Sequence, residues 1–142
     1  MIDAIKKGRQ TKIPEDQREH EVYVRINTKD EDKKYTGQTD MSSNERNGED
    51  FSRAMNPNHR DYNRSICKAL RIYGKDAFQI KLLAIVKGKI AAEYLEQCYI
   101  NKFNTLNPQF GYNDKKAVSD KRMEELKLTI DLSSAKFFCP LW

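Results

Sequence analysis

Two tyrosines, Tyr23 and Tyr35, could do chemistry together because each lies in a short run that alternates like a β-strand. A charged turn, residues 29–33, joins the runs, so the two phenols are expected on adjacent strands of one hairpin, side by side on one face. A phenol is a poor base at its free pKa of about 10, but nearby cations can stabilise the phenolate, and a phenol can relay a proton through water. Without further context, such a pair is more typical of ordinary strand-surface aromatics.

Other residue types that often carry chemistry are less informative. The three cysteines, Cys67, Cys98 and Cys139, are widely spaced and form no C-x-x-C pair. This spacing predicts free thiols in a reducing compartment rather than a zinc site or a disulfide framework. The histidines, His20 and His59, occupy no recognisable motif. The net charge of +5 permits a polyanionic partner but is weak support for one.

The hydrophobic pattern predicts the elements that would position these side chains, in the order β-β-α-α-β-α. Ser43 is the expected N-cap of the first helix, and Gly74 fits the C′ position of the second. The predicted strands cover residues 21–27, 33–38 and 78–86, and the predicted helices cover 44–55, 64–73 and 89–103. In a chain of 142 residues this order favours an α/β fold, a small sandwich whose short mixed or antiparallel sheet is flanked by helices.

The chain divides into a polar N-terminal arm (1–19), a core domain (20–114) and a C-terminal segment (115–142) with one helix and an apolar tail. The arm is expected to be a loosely ordered terminus, with an electrostatic DNA contact as the alternative. The terminal FFCPLW is expected to pack back onto the domain, and a homodimer or partner contact through it is the alternative. No apolar run could span a bilayer, so no membrane partner is expected. A cytoplasmic location is expected instead.

Several ordered motifs support one family resemblance. EVY (21–23) and YTG (35–37) resemble the two halves of the GIY-YIG nuclease signature, although Glu21 replaces the first glycine and Thr36 the second isoleucine. The downstream motifs that resemble the family in order are SSNER, SICKALRIYGKDAF, YLEQCYINKFNTLNP and FGYND. Together these segments extend over residues 21–114, about two thirds of the chain.

The resemblance implies a set of site residues. The two family tyrosines fall on Tyr23 and Tyr35, with Tyr23 as general base or water-positioning group and Tyr35 supporting it. The catalytic arginine falls on Arg46, nine residues after Gly37, with Arg53 as the competing choice. The metal-binding glutamate and the closing asparagine complete the set, at Glu96 and Asn113. Where family members often have an aromatic residue and then a histidine after the arginine, this sequence has Asn47 and Asp50.

These residue types suit phosphodiester hydrolysis. A single carboxylate at Glu96 suits Mg²⁺, or Mn²⁺ in its place, which keeps most of its waters and takes substrate oxygens as ligands. The guanidinium of Arg46 would supply fixed donors to the phosphate. Each residue also has an ordinary structural interpretation: Glu96 as a solvated helix residue paired with a lysine, and Asn113 as a turn former.

The resemblance therefore implies a metal-dependent DNA endonuclease, a hydrolase of phage or bacterial type acting in a bacterial cell or a phage-infected host. Its role would be that of a homing enzyme, a restriction enzyme or a DNA-degrading nuclease. Homing members usually carry a separate DNA-binding domain, and the short segment after residue 114 argues against one in this chain. The alternative is a non-catalytic DNA-binding or interaction protein on a degenerate nuclease fold, which Glu21, Thr36 and Asp50 favour.

Overall fold

The computed structural model describes residues 12–141, and that part of the chain forms four strands and four α-helices. The strands are β1 (Glu19–Asn27), β2 (Lys33–Thr39), β3 (Phe78–Lys87) and β4 (Lys136–Phe137). The helices are α1 (Ser43–Ala54), α2 (Ser65–Tyr73), α3 (Lys89–Phe103) and α4 (Asp120–Thr129). The predicted order β-β-α-α-β-α is confirmed through α3, whereas most of the predicted N-terminal arm, residues 1–11, lies outside the described residues.

The sheet explains how the two tyrosines meet. Its strands run antiparallel in the order β2-β1-β3-β4, which confirms the α/β sandwich and selects an antiparallel sheet over a mixed one. Across the hairpin, Tyr23 pairs with Gly37, and Arg25 pairs with Tyr35. The tyrosines therefore share one face of the sheet but stand diagonally, with Arg25 and Gly37 as their direct cross-strand neighbours.

Both faces of the sheet are covered. Tyr23 and Tyr35 belong to one buried cluster with Ile66 and Leu70 of α2 and Ala54 of α1. On the opposite face, the predicted apolar stripe of β1, Val22 and Val24, packs against Leu95 and Tyr99 of α3. Because both faces are covered, Arg25 and Asn27 of β1 are buried as thoroughly as Val22 and Val24, whereas Glu19 at the start of the strand is exposed.

Helix α1 begins one residue earlier than predicted, and its N-cap is Ser42 rather than Ser43. The Ser42 hydroxyl accepts from the backbone N–H of Glu45 at 3.1 Å and donates to the Glu45 carboxylate at 3.0 Å, so it satisfies a free N–H of the first turn. Glu21 supplies a second cap, because its Oε1 accepts from the N–H of Ser43 at 2.9 Å. The Glu21 carboxylate thus ties β1 to the start of α1.

The C-terminal tail packs onto the domain, as predicted. Strand β4 pairs with β3, and the N–H of Phe138 donates to the carbonyl of Leu83 at 2.8 Å. The hydroxyl of Tyr99 in α3 donates to the carbonyl of Cys139. The three cysteines are free thiols, as predicted, and in residues 12–141 no helix is long and apolar enough to cross a membrane.

Candidate functional site

The two tyrosines are held around one buried arginine. Arg25 is fully buried, and its guanidinium lies 5.3 Å from the ring centroid of Tyr23 and 5.2 Å from that of Tyr35. Its NH2 donates to the Tyr23 hydroxyl at 3.2 Å. A desolvated cation over two aromatic faces stabilises both rings in place. Strand alternation predicted Arg25 on the same face as Tyr23, but no motif in the sequence indicated a role for it.

Position 37 must be glycine because the phenol of Tyr23 packs directly against its backbone. A Cβ at position 37 would lie 2.6 Å from the Tyr23 hydroxyl oxygen and 2.7 Å from its ring carbon Cζ. Both distances are far below van der Waals contact, so the phenol end occupies the space that a side chain would fill. The glycine of the YTG motif is thus explained by close approach of a tyrosine across the hairpin.

Replacing Gly37 by alanine should therefore displace the Tyr23 ring and cost about 1–3 kcal/mol of stability, the usual cost of overpacking a core. Urea unfolding monitored by circular dichroism measures this loss. Gly48, where a Cβ would meet nothing within 4 Å, is the matched control. Because Gly48 lies within α1, Gly48→Ala should stabilise the protein by up to about 1 kcal/mol. Equal stability of Gly37→Ala and the wild type would contradict this account.

Asp50 of α1 joins three arginines. Its Oδ2 accepts from Arg25 NH2 at 2.5 Å, and its Oδ1 lies 3.3 Å from Arg46 Nε and 3.5 Å from Arg53 NH1. The Asp50 side chain is only 2 % exposed, so these ion pairs are poorly screened by solvent. At the position where the resemblance led us to look for a histidine, the chain instead has a carboxylate that orients the arginines around the tyrosines.

Arg46, rather than Arg53, is the arginine whose charge reaches the other predicted residues. Its positive charge opposes the effect of burial on the pKa of Tyr23 and on the pKa of Glu96. Both arginines pair with Glu49, Arg46 through NH1 at 4.0 Å and Arg53 through NH2, so this contact does not separate them. Arg46 therefore stays the choice for the predicted arginine, because its charge, unlike that of Arg53, is among the causes that act on the pKa values of Tyr23 and Glu96.

Glu96 of α3 lines a cavity of about 700 Å³ together with Tyr35, Arg64 and Glu93. Burial, followed by the negative charge of Glu93, raises the pKa of Glu96 to about 8. The charges of Arg46 and Arg64 act in the opposite direction but do not offset this rise. Within residues 12–141, the Glu96 carboxylate makes no hydrogen bond or ion pair, and it remains available to a ligand in the cavity.

Tyr35 is the tyrosine that reaches this cavity. Tyr35 lines it, whereas Tyr23 is 1 % exposed and does not. Burial raises the pKa of Tyr35 above its ordinary value even though Arg64 and Arg25 lower it, so the phenol keeps its proton at neutral pH. The resemblance implied the leading role for Tyr23 and the supporting role for Tyr35, and the exposure of the two phenols favours the reverse.

Arg64 was not predicted from the sequence. It is the N-cap residue of α2, and its NH2 donates to the Tyr35 hydroxyl at 2.8 Å inside the same cavity. The backbone N–H of the next residue, Ser65, donates to Asp114 Oδ2 at 3.0 Å, which holds the start of α2 in place. A positively charged residue directly before a serine at a predicted helix start was the available signal, but such pairs are common.

The side-chain amide of Asn113 forms a pair of hydrogen bonds with the backbone of Thr36. Its Oδ1 accepts from the N–H of Thr36 at 2.9 Å, and its Nδ2 donates to the carbonyl of the same residue at 2.9 Å. Gly111 lets this segment lie close against β2, because a Cβ there would lie 2.6 Å from the Lys34 carbonyl oxygen. Asn113 therefore holds β2, and with it Tyr35, against the 111–114 segment, although it also lines the cavity.

The donor set around Glu96 fits a cation that is held mainly by water and substrate. No group of three or more histidine, cysteine, aspartate or glutamate side chains in the described part of the chain could hold a metal by itself. Mg²⁺ does not need such a cage, since one or two carboxylates with substrate phosphate oxygens suffice. Glu96, whose carboxylate is open to the cavity and has Glu93 beside it, meets that requirement.

The chain was compared with protein-family models, with curated proteins and with solved structures. None of the three comparisons found a match.

Proposed function

We propose that this chain is a metal-dependent DNA endonuclease that hydrolyses phosphodiester bonds, as its resemblance to the GIY-YIG nucleases implies. The observation that carries the proposal is the open Glu96 carboxylate in the cavity that Tyr35 and Arg64 also line. The cations of the same cavity, Arg64, Lys115 and Lys116, could face phosphate oxygens, and its acids, Asp61, Glu93, Glu96 and Asp114, suit a bound cation between them. Arg46 lies close enough for its charge to act on Glu96.

Each residue has a role in this proposal. Hydrolysis adds a water oxygen to phosphorus and breaks one P–O ester bond. The water gives up a proton to solvent and the leaving oxygen takes one up, which leaves a phosphomonoester and a hydroxyl. Tyr35 positions the water through its hydroxyl, because a phenol that keeps its proton can orient a water but cannot accept the water's proton. Arg46 and Arg64 donate to the phosphate oxygens as negative charge develops.

Glu96, with Glu93 beside it, would hold the Mg²⁺ or Mn²⁺, and the bound cation would neutralise phosphate charge and assist the leaving oxygen. Tyr23 supports the site without contacting the substrate, since it is buried and its hydroxyl accepts a hydrogen bond from Arg25. Asn113 positions the strand that carries Tyr35.

A second candidate function is a non-catalytic DNA-binding protein on a degenerate nuclease fold. The burial of Tyr23 and the presence of Asp50 in place of a histidine favour it. The two candidates differ in one outcome, because only the nuclease nicks DNA in the presence of Mg²⁺.

A plasmid-nicking assay with Mg²⁺ tests the proposed function and the assigned roles. We expect Arg46→Ala to lower the rate by about 10²–10³-fold, as loss of one transition-state donor does, and Arg53→Ala to lower it far less. Tyr35→Phe should lower the rate by about 10²-fold or more, and Tyr23→Phe by less, because only Tyr35 reaches the cavity.

The matched pairs make the assay specific, because Arg46 and Arg53 are equally exposed and both pair with Asp50, and Tyr35 and Tyr23 belong to one buried cluster but differ in access to the cavity. A wild type that nicks no DNA under any metal condition would overturn the nuclease proposal. Equal rates for the two arginine variants would overturn the role of Arg46, and equal rates for the two tyrosine variants would overturn that of Tyr35.

A further inference from the structure

The hydrolysis needs a group that receives the proton of the attacking water before that proton reaches solvent. Tyr35 keeps its own proton at neutral pH, so its phenol can only orient the water. Glu96, with Glu93 beside it, is assigned to the cation. The other carboxylates that line the cavity are those of Asp61 and Asp114, and one of them could accept the proton.

The Asp114 carboxylate is already occupied by the start of α2. Its Oδ2 accepts from the backbone N–H of Ser65 at 3.0 Å, and its Oδ1 accepts from the Ser65 hydroxyl. A proton on either oxygen would weaken these bonds, which satisfy a free N–H of the first helical turn. Asp114 is therefore a structural residue.

The Asp61 carboxylate, by contrast, accepts no hydrogen bond from residues 12–141. Arg64 NH1 lies 3.9 Å from Asp61 Oδ2, which is beyond hydrogen-bond distance. His59 Nδ1 lies equally far from Oδ2, at 3.9 Å, and accepts the backbone N–H of Asp61 at 3.0 Å, so Nδ1 has no hydrogen to donate to the carboxylate. The Asp61 side chain is 22 % exposed and lines the cavity, so its oxygens are open to a bound water.

One guanidinium lies between Asp61 and Tyr35. Arg64 NH2 donates to the Tyr35 hydroxyl at 2.8 Å, while NH1 of the same group faces Asp61. Because both nitrogens belong to one planar group, the phenol and the carboxylate lie on neighbouring sides of it and along the same cavity. A phosphate that binds Arg64 would therefore meet the water-orienting phenol and the open carboxylate together.

The turn that carries Asp61 is fixed by hydrogen bonds. The backbone N–H of Tyr62 donates to the carbonyl of His59 at 3.0 Å, and that of Arg64 donates to the carbonyl of Asp61 at 3.0 Å. The guanidinium of Arg71 stacks on the Tyr62 ring at 3.7 Å and donates from NH1 to the Tyr62 carbonyl at 2.8 Å. A group held in this way is positioned before the substrate binds, as an acid–base group must be.

We propose that Asp61 is the general base of the reaction, a catalytic residue that takes the proton of the water that Tyr35 orients. This inference rests on the proposed nuclease function. As the water oxygen bonds to phosphorus, one O–H bond of the water breaks and its proton moves to an oxygen of Asp61. The P–O ester bond breaks with its electron pair on the leaving oxygen, which takes up a proton from solvent. Asp61 then releases its own proton to solvent, which its partial exposure permits.

Asp61→Asn removes the proton acceptor and keeps the shape of the side chain. We expect kcat for nicking to fall by about 10²–10⁴-fold, with KM for DNA and the half-saturating Mg²⁺ concentration within about 2-fold of the wild type, because the base acts only in the transition state. Since the carboxylate accepts no hydrogen bond, the midpoint of urea unfolding should not change. Asp76→Asn, at an exposed aspartate that does not line this cavity, is the matched control and should change none of these quantities.

Two further readouts separate a base from a residue that only supports the structure. Above about pH 8, Glu96 has lost its proton and no longer limits the wild-type rate. There kcat of the wild type should be flat, whereas kcat of Asp61→Asn should keep rising about tenfold per pH unit, because hydroxide replaces the missing base. For Asp61→Ala, added formate should restore the rate by about tenfold or more, and the same concentration of chloride should not.

The outcomes distinguish this inference from the function on which it rests. A wild type that cuts no DNA would overturn the nuclease function and the role of Asp61 together. In a wild type that cuts, an unchanged kcat for Asp61→Asn would overturn the role of Asp61 alone. A loss that excess Mg²⁺ restores would also overturn it, since Asp61 would then be a cation ligand. A loss with a flat pH profile and no rescue by formate would overturn it as well, since Asp61 would then be structural.

Discussion

Glu96→Gln should lower DNA cleavage by at least about 10³-fold, because the substitution removes the carboxylate that would hold the cation and its several kcal/mol of charge stabilisation. The side chain keeps its shape, so the fold should remain intact. Nicking rates and circular dichroism spectra of the two proteins check both statements. Cleavage by Glu96→Gln at the wild-type rate would show that the carboxylate is not the metal ligand.

The same residue predicts a pH dependence. Because the pKa of Glu96 is raised to about 8, the carboxyl holds a proton at neutral pH and must lose it to bind a cation. At subsaturating Mg²⁺, the nicking rate should therefore rise about tenfold per pH unit up to pH 8 and then level off. Glu93→Gln is the control, since removing its charge lowers the pKa of Glu96 and should shift this rise to lower pH.

The pH dependence of the free energy of unfolding tests the raised pKa of Glu96 independently of any catalytic activity. In the unfolded chain its pKa is near 4.5, and in the folded protein it is about 8, so between these values the folded state binds the extra proton. The contribution of Glu96 to stability therefore falls as pH rises through this window and is constant above it. Glu96→Gln lacks this loss and should be more stable than the wild type at pH 8 by about 1–3 kcal/mol.

Sequence periodicity was sufficient for the elements that follow a clear pattern. The alternation of β1 and the bounds of α3 were predicted closely, because apolar spacing marks both elements and α3 lies between Gly88 and a left-handed Asn104. The pattern could not show that the Glu21 and Arg25 side of β1 is also buried. That depends on α1 and α2 covering the face, which is a property of the tertiary packing.

The predicted site residues were brought together only in part. Tyr35 and Glu96 share a cavity and Arg46 lies nearby, but the polar atoms of Asn113 are occupied by the backbone of Thr36. Arg64 could not be found from sequence, since its contact with Tyr35 joins residues 29 positions apart. The same holds for Asp50, which meets Arg25 across 25 positions.

Asp50→Asn should destabilise the protein by about 3–5 kcal/mol, the usual cost of breaking a buried ion pair by removing one partner. It would leave the Arg25 charge fully buried, and Arg25 Nε and NH1 already have no hydrogen-bond partner among the described residues. Urea unfolding at pH 7 measures the loss. Arg25→Met should cost less, because Asp50 would still lie beside Arg46 and Arg53.

A double-mutant cycle distinguishes an uncompensated charge from a simple packing defect. If burial of an unpaired Arg25 is the cause, the double variant Arg25→Met/Asp50→Leu should be less destabilised than the sum of its single variants by at least about 1 kcal/mol. Additive losses would instead indicate two independent packing contacts. If the proposed function holds, the folded fraction of Asp50→Asn should also cleave DNA more slowly than the wild type, because Arg46 loses the carboxylate that lies 3.3 Å from its Nε and fixes its position. Stability and activity are therefore coupled through one aspartate that touches neither the cavity nor the substrate.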